Sequence, residues 1–105
     1  MAEDLKKNAE EYEKSKAETQ ARSPLPQVTF ATFLLSLNTS ALVHLGELPE
    51  PGSEETSVDL DMARHAIDTI AMLKEKTAGN LDEEEQRLMD SILFELRMLY
   101  IKKAG

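Results

Sequence analysis

The sequence predicts an all-α fold, a unit of three helices behind a charged N-terminal arm. Three observations lead there. An uncharged run begins at Ser23 and ends before Glu47, in a chain that is 30% charged overall. Two later segments repeat apolar residues at steps of three and four, the helical period. Each of the three stretches is bracketed by residues that start and stop helices.

The uncharged run predicts the first helix, over 29–45, about 17 residues and roughly 25 Å long. Thr29 is the expected N-cap and Gly46 the residue that leaves the helix in the left-handed region, where glycine fits at least steric cost. Phe30, Phe33, Leu34, Leu37, Ala41 and Leu45 share one face, and Leu35, Leu42 and Val43 lie off it. Thr32, Ser36, Asn38, Thr39 and Ser40 fill the remainder. A helix without a charged face is expected to be covered nearly all round. A membrane span needs about 20 predominantly apolar residues. This run is shorter, has polar groups in its middle and lacks flanking lysine or arginine. A core helix is therefore the preferred reading, with peripheral membrane association through this helix as an alternative.

Before it, residues 1 to 22 hold six acids and five bases, with little apolar content beyond Leu5, Tyr12 and alanines. That composition predicts a solvated arm. Ser23-Pro24-Leu25-Pro26 breaks any helix, because each proline disfavours helix in the residue before it. The division follows: 1–26 arm and boundary, 27–105 helical domain. After the first helix, Pro49, Pro51 and Gly52 punctuate a loop that holds six acids and no base from Glu47 to Asp61. The calcium-loop spacing is missing, so the loop is read as solvated.

The second helix is expected over 60–77, with Asp59 as N-cap and Leu60, Ala63, Ile67, Ile70 and Leu73 as its buried stripe. Gly79 ends it. The third, over 83–101, opens on Asp82 with Glu85 three residues later, the spacing of a capping box. Its stripe is Leu88, Ile92, Leu96 and Leu99, while Phe94, Met98 and Ile101 form a separate row. The turn between the last two helices is short, which predicts an antiparallel hairpin.

Net charge is −8, which argues against bulk electrostatic binding of nucleic acid or anionic membrane. Cysteine is absent, excluding disulfides, thiolate zinc sites and cysteine nucleophiles and fitting a reducing cytoplasm. The first residues are charged from Glu3 onward and lack an apolar segment, unlike a secretory signal. A cytoplasmic protein is expected.

Three blocks, VTFATFLLSLNTSALVHLGELPEP, AIDTIAMLKEKTAGNLDEEE and FELRMLY, together resemble a bacterial family catalogued as domain of unknown function 1844. The resemblance covers about Val28 to Tyr100 and includes the turn Lys76, Thr77, Gly79, Asn80 and Leu81. Asp82 stands where related sequences often have threonine; both cap helices. The resemblance implies a small helical cytosolic protein and brings no activity, cofactor or catalytic residue with it.

Few residues offer chemistry. His65 has Asp61, Asp68 and Thr69 at i−4, i+3 and i+4, and a histidine with two carboxylates is a conceivable metal set. The plainer reading is a solvated face in which Asp61 and Asp68 pair with His65 and Arg64. It is preferred because no second helix repeats a Glu-x-x-His pair, as di-iron bundles require. His44 is read as a helix C-terminal cap, Glu95 and Arg97 as an ion pair, and Met62, Met72, Met89 and Met98 as helix packing. No phosphate loop, Ser-His-Asp signature or basic-aromatic stripe is present. No cofactor is expected, and a non-enzymatic interaction protein is preferred over a metal-binding or enzymatic one. The surplus of apolar surface predicts a homodimer or higher homo-oligomer, or a subunit of a larger complex. Its interface is expected at Thr32, Ser36, Ser40, Phe33 and Leu37 on the first helix and Phe94, Met98 and Ile101 on the third.

Overall fold

The computed structural model describes residues 5–11, 25 and 27–105. They form four helices and no strand among the described residues: α1 over 5–11, α2 Phe30–His44, α3 Leu60–Lys76 and α4 Glu83–Ala104. The expected unit had three helices, and α1 is the addition.

Helix α2 starts where its hydroxyls dictate. The Thr32 backbone N–H donates to Thr29 Oγ1 at 3.0 Å and the Thr29 N–H donates to Thr32 Oγ1 at 3.1 Å, a reciprocal capping box built from two threonines. The helix ends in a Schellman motif. Gly46 has φ +79° and its N–H donates to the Val43 carbonyl, while the Glu47 N–H reaches the Leu42 carbonyl at 2.9 Å. A Cβ on Gly46 would lie 2.8 Å from Val58 Cγ2, so both conformation and space demand glycine. The acidic loop then returns: the Asp59 N–H donates to the His44 carbonyl at 2.8 Å, fixing the start of α3 beside the end of α2.

Asp59 caps α3 through Met62 N–H at 3.1 Å. The helix closes at Thr77, and Gly79 turns the chain at φ +85°. Asp82 and Glu85 then cap each other at the start of α4, at 2.8 and 2.9 Å. Helix α4 runs three residues past the expected Ile101, with Lys102 and Lys103 in its last turn, where cations suit the negative end of the dipole. Lys74 Nζ reaches Asp90 Oδ1 at 2.8 Å across the α3–α4 turn, and Lys103 Nζ lies 3.4 Å from Glu47 Oε2. The C-terminal ends of α2 and α4 are thus together and α3 runs back between them in sequence. Each of these three helices packs on the other two, around Leu34, Leu42, Leu45, Ile70, Met89, Ile92 and Leu96.

The arm expected to stay in solvent is corrected over 5–11, where it is a docked helix. Leu5 and Ala9, one turn apart, are buried in the same core, and Asn38 Nδ2 donates to the Leu5 carbonyl at 3.4 Å. Two apolar side chains at i, i+4 give even a strongly charged segment one face that prefers α2 to water. The rest of the arm, and the helix breakers Pro24 and Pro26, lie outside the described residues.

Candidate functional site

Among the described residues, the polar side chains singled out by the sequence do not converge on one centre. His65 and Asp61 are exposed on α3. Asp68 Oδ2 lies 3.9 Å from Arg64 Nε, and Thr69 Oγ1 donates to the His65 carbonyl at 2.8 Å. Thr69 therefore serves the backbone of its own helix. His44, half-buried, shares a cavity of about 530 Å3 with Glu50, Asp59 and Asp61 at the α2–α3 junction. Among the described residues, no group of three or more histidines and carboxylates is placed to hold a metal ion. The Glu95–Arg97 pair does not form among the described residues. Residues two apart on a helix point to different sides: Glu95 lines the cavity beside α1, and Arg97 faces solvent.

One carboxylate is electrostatically distinct. The hydrogen bond from Lys74 holds Asp90 below its ordinary value; desolvation opposes this, while a hydrogen bond from Gln86 at 3.2 Å and the Lys74 charge add to it. The group sits on the surface and links α4 to α3 through Lys74.

The unusual feature is apolar. Phe94, Met98 and Ile101 run along the outside of α4 with 58%, 53% and 64% of their surface exposed. At 100° per residue they fall in a strip about 60° wide, on the side away from Met89, Ile92 and Leu96. Helix α2 contributes less. Phe33 is 48% exposed and Ser40 is exposed, but Leu37 packs against the core. Ser36 Oγ donates to the Phe33 carbonyl at 2.6 Å, and Thr32 belongs to the N-terminal cap. Of the methionines read as packing, only Met89 is buried; Met62, Met72 and Met98 are about half exposed.

The joint between α1 and α2 was missed in the sequence. Asn38 is fully buried, and its Oδ1 has no partner among the described residues. The available signal was the Leu5–Ala9 spacing together with the need of an uncharged helix for a third neighbour. Beside this joint, Leu5 and Asn8 of α1 face Glu84, Arg87, Ser91 and Glu95 of α4 across a cavity of about 400 Å3.

No helix among the described residues is long and apolar enough to cross a membrane. Comparison with curated proteins and with solved structures finds no match to the chain. The family model described as Domain of unknown function (DUF1844) matches residues 27–102, the whole of α2, α3 and their connection and nearly all of α4. The chain is a small helical protein that belongs to this DUF1844 family.

Proposed function

We propose that this protein is a non-enzymatic interaction module that works as an assembly, with a second copy of itself as the first partner. The observation that carries the reading is the row Phe94, Met98 and Ile101, left in water on a helix whose other side is fully packed. Burying such side chains gains roughly 1.5–3 kcal/mol each when complete, and closed twofold assembly is the commonest way a chain covers its own apolar patch. The α2 strip of Phe33, Ser36 and Ser40 is a lesser part of the same surface. A bacterial cytoplasmic setting is compatible with a chain that has no cysteine, since disulfides are features of oxidising compartments.

Sedimentation of the full chain at high micromolar concentration tests the reading. A dimer or larger assembly is expected, reduced to monomer by Phe94→Glu with helix content kept, because Phe94 is outside the monomer core. A wild-type monomer under those conditions contradicts it.

A further inference from the structure

Resting on that reading, the charges beside the row carry the inference further, to the direction and register of the pairing. On α4, Ser91 and Met98 alternate with Arg87, Phe94 and Ile101 along the outer strip, in a seven-residue pattern. Asp90 and Arg97 line one flank, and Glu95 and Lys102 line the other. In a parallel pair, flank residues five apart meet across the interface. Asp90 would then face Glu95 of the second copy and Arg97 would face its Lys102. Twofold symmetry repeats both contacts, so all four are between like charges.

In an antiparallel pair each flank meets its own kind. Placing Phe94 opposite Met98 of the second copy brings Arg97 close to Arg97 and Glu95 close to Glu95, again like on like. Sliding by one heptad, so that Met98 lies opposite Ile101 and Phe94 opposite the chain's Gly105, removes these clashes. Glu95 then faces Lys102 twice, and Arg97 faces the small Ala104. Because α4 ends at Ala104, the helical overlap in this register is confined to its C-terminal half, from about Phe94 onward. Helix α1 stands beside the other end of α4, where Leu5 and Asn8 share a cavity with Glu84, Arg87 and Ser91. The overlap therefore largely clears α1, which reaches it only at Glu95.

We propose that two copies pair antiparallel through the C-terminal half of α4, Met98 against Ile101, with Glu95 and Lys102 bridging the copies. Phe94, Met98 and Ile101 all enter the contact, and no like-charge pair faces across it.

Charge reversal in the full chain tests this by sedimentation equilibrium. Glu95→Lys and Lys102→Glu are each expected to raise the dimer Kd about 5- to 10-fold, two exposed pairs passing from attraction to repulsion, and the double variant to restore it. Lys102 is exposed, so its variant reads the contact even if Glu95→Lys disturbs the α1 seat. A parallel pair responds oppositely to Glu95→Lys, which would relieve its clash with Asp90 and tighten the dimer. Because the chain has no cysteine, single cysteines report the register. Phe94→Cys mixed with Gly105→Cys should cross-link, and Phe94→Cys alone should not. A dimer that tightens on Glu95→Lys, or cross-links at Phe94→Cys alone, overturns the antiparallel register and leaves the assembly reading standing. A wild-type monomer overturns both.

Discussion

Helices α2 and α4 solve opposite problems. The first has no aspartate, glutamate, lysine or arginine, and the chain covers it: α3 and α4 pack on two sides and α1 closes a third, so that Leu34, Asn38, Ala41 and Leu42 lose contact with water. The second is charged along most of its length, yet keeps Phe94, Met98 and Ile101 outside. Lack of charge therefore does not mark the surface a chain leaves for a partner. What matters is whether another segment lies over the apolar strip, and among the described residues α1 lies against α2.

A clear break between inside and outside lies within α4 itself. Leu96 is fully buried and Met98, two residues on, is half exposed. Leu96→Ala is expected to destabilise the protein by about 2–5 kcal/mol, the range for a large core side chain truncated to alanine. Met98→Ala should change the unfolding of the monomer by no more than about 0.5 kcal/mol, as surface substitutions do. Urea denaturation at low protein concentration compares the two. Similar losses would mean that the outer row is already buried in the species that unfolds.

The next effect concerns the cover on α2. Removing residues 1–22 takes away the buried Leu5 and Ala9 and opens the fully buried Asn38. Burying a leucine is worth roughly 1.5–3 kcal/mol, offset by the entropy of ordering a short helix. A net loss of about 1–2 kcal/mol is expected, a fall in Tm of about 4–8 °C or more on the scale of small domains. An unchanged Tm would return the arm to solvent and leave α2 in need of an outside partner. Leu5→Ala in the full chain separates packing from any effect of truncation.

Much of this architecture is written locally. Thr29, Asp59 and Asp82 cap the helices that sequence assigns to them, Gly46 takes the left-handed conformation expected of it, and Gly79, expected to end α3, does so in the same conformation. Capping and chain reversal depend on a few neighbouring residues, so spacing alone reveals them. Docking of α1 depends on what Leu5 and Ala9 meet more than thirty residues away, and composition averages that signal into the surrounding charge. Exposure of the α4 row follows its period, since Phe94, Met98 and Ile101 lie opposite the buried stripe. Thr32 and Ser36 bond through their hydroxyls to backbone groups one turn away, which spacing shows less directly. His65 with Asp61 and Asp68 shared a helical face by spacing, and Arg64 draws one carboxylate aside.

The smallest effect sharpens the contrast from its charged side. Lys74 and Asp90 meet at 2.8 Å with side chains 47% and 51% exposed, so solvent screens the pair and its worth is about 1 kcal/mol at most. Hydrogen bonding to Lys74 lowers the Asp90 pKa from its ordinary 3.8. A carboxylate with a depressed folded value binds fewer protons folded than unfolded in that window, so stability rises with pH there. The contribution is complete above the ordinary value and disappears as pH falls through the folded one. Asp90→Asn should therefore be less stable than the natural chain at about pH 6, and the gap should shrink as pH falls below the ordinary value and close below the folded one. Added salt should narrow the gap at the higher pH. A gap that persists undiminished in acid would show that Asp90 acts through its hydrogen bond from Gln86 and the geometry of the turn, with charge contributing nothing.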